Sequence, residues 1–153
     1  LLLHLKRVTA SQQVFLKAIQ LSPKSHLGYF YLGKTYEEDG KSREAKKQYR
    51  EAISKNTNFE SAYQALSKLL EADGEASKAI ELYENYLMVA NFPDKKFKQE
   101  LVRLLISQKE FDRALGKLEE MLEENPGELN IQVRRALIFA EKKEPERGIE
   151  ELW

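Results

Sequence analysis

Histidine is scarce in this sequence and cysteine is absent, which leaves few residues for metal binding or nucleophilic catalysis. The two histidines are His4 and His26. Without Cys, a zinc site would need carboxylates beside both imidazoles, and the generic spacing gives no sign of one. No Ser, His and Asp arrangement typical of a catalytic triad is present. We therefore expect ordinary surface histidines, no catalytic or metal-binding residue and no cofactor, so the chain is predicted not to be an enzyme.

Two other clusters look like ligand sites at first sight. The Gly-Lys-Ser sequence at residues 40–42 matches the end of a phosphate-binding loop. That loop also needs a glycine where Thr35 stands and a strand before it, and the sequence offers neither. The acidic cluster at residues 119–124 is predicted to lie on a helix, which presents it to solvent and does not focus oxygens on a cation. Neither a nucleotide site nor a cation site is expected.

The composition is that of a folded chain with balanced but unevenly placed charge. Of the 153 residues, 42% are hydrophobic and 33% are charged, with 25 basic and 25 acidic side chains. This is too apolar for a disordered chain and too polar for a membrane protein, and zero net charge argues against nucleic-acid binding. Residues 1–36 hold five basic and no acidic side chains, whereas residues 119–153 hold ten Glu and five basic ones. The two ends therefore carry opposite charge.

The start of the chain shows no targeting or membrane segment. The apolar run at residues 1–5 is too short to span a bilayer, and it has no basic region before it and no cleavage site. No membrane insertion is predicted. The absence of Cys is compatible with a reducing compartment and favours a cytoplasmic location. The first residue is not Met, and we expect either a fragment of a longer protein or disordered ends.

Helix-forming residues dominate nearly every stretch, and no run alternates with a period of two over the length of a strand. Breakers divide the chain into helices of about 12–15 residues. The glycines at 40 and 74 suit the left-handed cap of a helix. We also expect Leu1 to lie partway along a first helix and Trp153 partway along a second. The breakers stand at residues 23, 39–40, 56–58, 73–74, 91–93, 125–127 and 144–145.

The sequence repeats itself with a period of 34 or 35 residues. Two columns of small residues recur where helices would cross closely, and large residues fill the gaps beside them. Each unit is therefore predicted to be a pair of antiparallel helices. The first small column is Gly33, Ser67, Val102 and Ala136, and the second is Ala45, Ala79 and Ala114. Upstream, Ser11, Phe15 and Ala18 fit the second helix of the same pattern.

This pattern resembles the tetratricopeptide repeat, a 34-residue helix-turn-helix unit. The best match keeps the family motif as Leu32, Gly33, Tyr36, Ala45, Tyr49 and Ala52, with Tyr29 in place of Trp and Thr57 in place of Pro. The resemblance implies an all-α, right-handed α-solenoid that serves as a non-catalytic scaffold for protein–protein interaction. It also divides the single array into full repeats at 26–59, 60–94 and 95–128 and partial repeats at 1–25 and 129–153. One inserted residue near Asn91 lengthens the second full repeat.

In this family the first helices line a concave groove that binds segments of partner proteins, and the resemblance implies the same here. Residues at i, i+4 and i+7 share one face of each first helix. The implied groove residues are Phe30, Lys34, Glu37, Gln64, Lys68, Glu71, Gln99, Arg103, Ile106 and Arg134. Lys34, Lys68 and Arg103 form a basic column that suits an acidic peptide. The alternative is a solvated face, because Lys34–Glu37 and Lys68–Glu71 are i, i+3 pairs.

Phe30 and Tyr31 are expected to point away from the core within their repeat. They either pack on the preceding unit or offer an aromatic anchor to a ligand. The positions that hold a C-terminal carboxylate in the chaperone adaptors of this family are mostly not matched, so that clamp is not expected.

The partner is therefore predicted to be a protein or peptide and not a nucleic acid. Two alternatives remain open at this point. Oppositely charged open ends would favour head-to-tail self-association. Related helical repeats bind RNA, although the zero net charge disfavours this.

Overall fold

The structure, a computed structural model, describes residues 2–90 and 95–150, with side chains from Arg7 onward except that of residue 145. The chain divides into two compact units, Leu1–Asn91 and Phe92–Trp153. Helices α1 to α5 pack successively in the first unit, and α6 to α9 do so in the second. The predicted all-α fold is confirmed. The helices described are α1 (Leu2–Leu21), α2 (His26–Glu38), α3 (Ser42–Lys55), α4 (Glu60–Ala72), α5 (Ala76–Val89), α6 (Lys95–Ser107), α7 (Phe111–Glu124), α8 (Leu129–Glu141) and α9 (Pro145–Glu150).

The helix ends follow the predicted breakers except after Ser107, where the chain breaks although no Gly or Pro marks the turn before α7. Helix α1 is longer than the predicted length of about 12–15 residues, because no Gly or Pro interrupts residues 2–21. Three expectations, the position of Leu1, the insertion near Asn91 and the position of Trp153, concern residues outside those described.

The turn after each first helix has the same backbone geometry. Gly40 and Gly74 adopt positive φ angles of 72° and 75°, as predicted, and Lys109 and Lys143 adopt 60° and 63° at equivalent positions. In each turn, the residue that follows the one with positive φ donates its N–H to a carbonyl oxygen in the last turn of the helix, with N···O distances of 2.8–2.9 Å. This is the Schellman arrangement. Four successive helix pairs are thus joined by one type of turn. The acceptors are the carbonyls of Tyr36, Leu70, Leu105 and Phe139.

Close crossings hold each helix pair together. Ala45, Ala79 and Ala114 are completely buried. A Cβ added to Gly33 would lie 2.7 Å from Cε1 of Tyr49, so only glycine fits this crossing without displacing the ring. Gly148 extends the alanine column into α9, where an added Cβ would lie 3.0 Å from a backbone carbonyl oxygen. The small columns therefore set how closely the helices approach.

A charged contact ties successive repeats within the first unit. Lys46 on α3 donates hydrogen bonds to Asp73 and Glu75 in the turn between α4 and α5. Ser42 also donates to Asp73, at 3.1 Å. These bonds, and that from Lys78 to Glu75, lower the pKa of both carboxyls, that of Glu75 to about 2. The same contact fixes the helix pair that carries Lys68 relative to α3.

Candidate functional site

The exposed face of the first helices carries the predicted basic column. Lys34 on α2 and Lys68 on α4 are both exposed. Lys34 Nζ lies 5.8 Å from the centroid of the Phe30 ring, a distance compatible with a cation–π contact. Among the described residues, neither lysine forms an ion pair. Both ammonium groups are therefore available to a partner.

We call the predicted groove positions on α2, α4 and α6 the stripe. Its acidic residues, Glu37 and Glu71, accept hydrogen bonds inside their own repeats. Glu37 accepts a 2.6 Å hydrogen bond from the hydroxyl of Tyr49 on α3. Glu71 accepts a longer one, 3.4 Å, from the hydroxyl of the buried Ser67. The alternative, an i, i+3 ion pair of Lys34 with Glu37, is absent from the described contacts, and the tyrosine of the facing helix binds the carboxylate instead. Burial and this hydrogen bond both raise the pKa of the Tyr49 phenol.

In the second unit, the stripe holds a polar, a charged and an apolar residue: Gln99, Arg103 and Ile106. Arg103 on α6 forms a 2.7 Å ion pair with Glu100, one turn earlier on the same helix. Gln99 lies one turn before Arg103 and lines a narrow crevice that it shares with Arg134 of α8. The predicted residues Gln99 and Arg134 are thus brought together, whereas Arg103 is already partly neutralised.

An apolar groove of about 770 Å³ lies between α6 and α8. Ile106 and Leu137 line it, with Arg134, Glu141 and Lys143 at its polar edge. Leu137 was not predicted as a groove residue. The repeat period could have indicated it, because Leu137 occupies in the next repeat the position of Lys34, Lys68 and Arg103. The first-helix face of this unit is therefore equipped for apolar as well as charged groups.

The aromatic residues of α2 divide between core and surface. The expectation that Phe30 lies outside the core is wrong, since it is 8% exposed and packs edge-on against Phe59 at 4.9 Å and beside Tyr49 at 5.7 Å. Its ring supports the stripe and does not project from it. Tyr31 stacks on Phe15 of the preceding helix at 5.5 Å and stays 45% exposed.

His26 and the Gly-Lys-Ser sequence, which were considered as possible ligand sites, form contacts within the fold. His26 packs against Phe59 with ring centroids 4.4 Å apart, while His4 has no described side chain. The Gly-Lys-Ser sequence at 40–42 forms a turn between helices, in which Lys41 pairs with Asp39 at 2.6 Å.

Where the structure describes side chains, no group of three His, Cys, Asp or Glu is placed to hold a metal ion. Nor does any described helix have the length and apolarity to cross a bilayer.

Comparison with sequence families gives two overlapping matches. Both are described as tetratricopeptide repeat, and they cover residues 14–47 and 31–95. Together they span residues 14–95, more than half of the chain. No curated protein sequence matches the chain significantly.

Numerous solved structures match this fold, and the three described below are 15–19% identical to the chain. A crystal structure of MamA is 19% identical, with a TM-score of 0.68 over 92% of this chain and 82% of that one. YrrB, described as a tetratricopeptide-repeat protein with an unusual peptide-binding site, is 18% identical, with a TM-score of 0.67 over 96% of this chain and 75% of that one. A chain of Naa15/Naa10 bound to HypK-THB is 15% identical, with a TM-score of 0.71 over 95% of this chain and 22% of that one.

These neighbours share the helical repeat fold, and the predicted α-solenoid class is confirmed. The matched sequence repeats are modules of protein–protein interaction. The chain therefore belongs to the tetratricopeptide repeat family of protein-interaction scaffolds.

Proposed function

We propose that the first helices form a non-catalytic groove that binds an acidic segment of a partner protein. The observation that carries this proposal is the state of Lys34 and Lys68. Both occupy the same position in successive repeats, both are exposed, and neither is neutralised by an ion pair within the described chain. Charges held in this way attract a partner without first breaking an internal bond.

The energetic role of the two lysines is steering and selectivity. An exposed ion pair contributes only about 0.2–1 kcal/mol, so two lysines do not supply a high affinity. Charge complementarity acts mainly on the rate of association and on the choice of partner. Burial of apolar surface contributes affinity at about 25 cal/mol per Å², and within the second unit the groove beside Ile106 and Leu137 offers such surface.

The remaining groove residues have supporting roles in this proposal. Gln64 and Gln99 are half-buried hydrogen-bonding groups at equivalent repeat positions, and Arg134 borders the apolar groove. Glu37 connects α2 to Tyr49 of α3, whereas Glu71 accepts its bond from Ser67 of the same helix. Phe30 acts beneath the surface as the support of Lys34. Among the neighbours of this fold, YrrB has a peptide-binding site by its own description, which supports a peptide as the ligand class.

The proposal is tested with fluorescein-labelled extended peptides that contain Glu and Leu, beside matched peptides with Gln in place of Glu. We expect the acidic peptide to bind more tightly at low salt, and the difference to shrink as salt is added. Reversal of the column in the Lys34→Glu/Lys68→Glu variant should weaken binding of the acidic peptide roughly tenfold or more at low salt. Fluorescence anisotropy measures all of these affinities.

The matched control is Lys17→Glu/Lys47→Glu, which reverses two exposed lysines on α1 and α3 and changes the net charge equally. This variant should retain nearly all of the binding. If both double variants weaken binding to the same extent, only net charge matters and the groove is not the site. Adding Arg103→Glu to the first variant should have a smaller effect, since Glu100 already neutralises that side chain.

A further inference from the structure

One repeat position on the first helices changes from charged to apolar in the last repeat. The period of 34 or 35 residues aligns Lys34 of α2, Lys68 of α4, Arg103 of α6 and Leu137 of α8. The first three side chains are cationic, whereas the fourth has no polar atom. Leu137 is nevertheless 60% exposed. The last repeat therefore presents a different chemistry to a ligand at this position.

The repeat packing itself keeps this position open. Lys34 is exposed although α4 follows α2 in the same unit, and Arg103 is exposed although α8 follows α6. A following first helix thus does not cover this position. The apolar groove beside Leu137 also has a helix on each side within the second unit, since Ile106 belongs to α6 and Leu137 to α8.

The apolar groove between α6 and α8 is large enough for side chains of a ligand. Its volume of about 770 Å³ lies within the range of roughly 300–1,000 Å³ that is typical of binding pockets. The exposed Leu137 and the half-buried Ile106 contribute apolar surface to its wall, and the buried Ile138 adds to the lining. The groove therefore fits an apolar side chain.

The charges along the edge of this groove favour an anionic ligand. Arg134, Glu141 and Lys143 all line it and are exposed. Within the described part of the chain, none of the three forms an ion pair. Two cations against one carboxylate leave the edge positive, which complements an acidic residue beside the apolar one.

We propose that Leu137 determines specificity in the second unit, where it selects a large apolar side chain next to an acidic residue in the partner segment. This inference rests on the proposed function, because it takes the ligand to be an acidic segment of a partner protein. The apolar side chain of the ligand would lie between Ile106 and Leu137. The neighbouring carboxylate would face Arg134 or Lys143.

Leu137 selects by exclusion as well as by contact. A carboxylate placed against Leu137 and Ile106 would lose water without gaining a hydrogen-bond donor, which is unfavourable. An apolar side chain at the same place removes apolar surface from water on both partners, which is favourable. The difference between these two ligands is the specificity. The cations at the equivalent positions of α2 and α4 have the opposite preference.

Three fluorescein-labelled extended peptides test the proposal by fluorescence anisotropy. They share a Glu-rich sequence and carry Leu, Ser or Glu at one central position. At about 0.15 M salt, where screening limits the effect of distant charges, we expect the Leu peptide to bind at least about tenfold more tightly than the Ser peptide. The Glu peptide should also bind more weakly than the Leu peptide.

Variants of the protein locate the selecting residue. Leu137→Lys should reverse the order, so that the Glu peptide binds more tightly than the Leu peptide. Leu137→Ser should abolish the preference for Leu. The matched control, Ile149→Lys, adds the same charge at a 59% exposed position on α9 outside the groove lining, and it should keep the original order. Circular dichroism confirms that each variant is folded before binding is measured.

Three results would overturn the proposal. Equal binding of the Leu and Ser peptides would show that the groove takes no apolar side chain. A preference for Leu that persists in Leu137→Lys would place the selecting residue elsewhere. Light scattering that shows dimers at rising concentration, lost in Leu137→Lys, would assign the groove to a second copy of the chain.

The Lys34→Glu/Lys68→Glu variant separates this outcome from that of the proposed function. It should weaken binding of all three peptides and leave the ratio of the affinities for the Leu and Ser peptides unchanged. If it alters no affinity while Leu137→Lys still reverses the order, the proposed role of the two lysines is wrong and that of Leu137 stands.

Discussion

The ring of Tyr49 occupies the space in which a side chain on residue 33 would begin. A Cβ on Gly33 would lie 2.7 Å from Cε1 and 2.8 Å from Cδ1 of that ring. The ring cannot retreat freely, because it is completely buried and its hydroxyl is bound to Glu37 at 2.6 Å. The close crossing of α2 and α3 and the hydrogen bond of Glu37, the carboxylate one turn from Lys34, therefore depend on one tyrosine.

Gly33→Ala should destabilise the fold by about 1–3 kcal/mol, because the added methyl overpacks a filled crossing. Urea denaturation followed by circular dichroism measures this loss. Gly116→Ala on α7 is the matched control, since an added Cβ there meets no atom within 4 Å. The control should stabilise the fold by about 0.5–1 kcal/mol through helix propensity. Equal effects in the two variants would show that the crossing at Gly33 is not tight.

Lys109→Gly and Lys143→Gly should each stabilise the fold by roughly 1 kcal/mol. Both lysines have positive φ angles in turns where the first two repeats use Gly40 and Gly74. An L-residue with a Cβ pays about 1–2 kcal/mol in this conformation, part of which the flexibility of unfolded glycine cancels. Thermal and urea unfolding check the gain. The reverse change, Gly40→Ala, should cost a similar amount, and a neutral result in both directions would contradict the assigned turn geometry.

The fold was largely predictable because the repeat signal is carried by small residues and breakers. Gly33, Ala45 and the glycines at 40 and 74 each have a steric reason that the sequence displays. The turns at Lys109 and Lys143 were not predictable in the same way, since lysine carries no local signal for a positive φ angle. Only their alignment with Gly40 and Gly74 could have indicated the turn.

The candidate site was less predictable than the fold. The i, i+3 rule paired Lys34 with Glu37 on one helix, but a tyrosine from the facing helix holds that carboxylate. Phe30 was expected to point away from the core of its repeat because it lies outside the motif columns, but it packs against Phe59 in the connection after α3. Both contacts join residues of different elements, so the periodicity of a single helix does not reveal them.

Stability should fall as the pH drops from about 4.5 to about 2. The ordinary carboxyl pKa values are 3.8 for Asp73 and 4.5 for Glu75, and the folded chain lowers both, Glu75 to about 2. The unfolded chain therefore binds more protons across this window, and the stabilisation present above it is lost as the folded carboxyls protonate. The pKa of Asp112 is lowered in the same direction by Lys142. Urea unfolding at pH 7, 4 and about 2.5 measures the trend.

Lys46→Met should flatten this acid dependence, because Lys46 is the main cause of the lowered pKa values of Asp73 and Glu75. Lys47→Met is the matched control, as its exposed side chain has no ion pair among the described residues. The control should retain the slope of the original chain. An unchanged slope in Lys46→Met would show that the contact between α3 and the turn before α5 does not form in solution.

Tyr49→Phe should weaken binding of an acidic peptide as well as the fold. Loss of the buried hydroxyl leaves Glu37 without its 2.6 Å donor and should cost about 1 kcal/mol of stability. The released carboxylate then lies one turn from Lys34, where it can pair with the ammonium group and compete with the peptide. We expect roughly a two- to threefold loss of affinity at low salt, measured by fluorescence anisotropy, since exposed pairs of this kind are weak.

The double variant Tyr49→Phe/Glu37→Gln separates this effect from a general loss of structure. Removing the negative charge should restore the affinity for the acidic peptide although the stability stays reduced, because Lys34 again has no competing partner. A distorted helix pair would instead leave binding weak in both variants. If Tyr49→Phe alone leaves the affinity unchanged while the fold is weakened, the hydrogen bond to Glu37 serves stability only and does not keep Lys34 available.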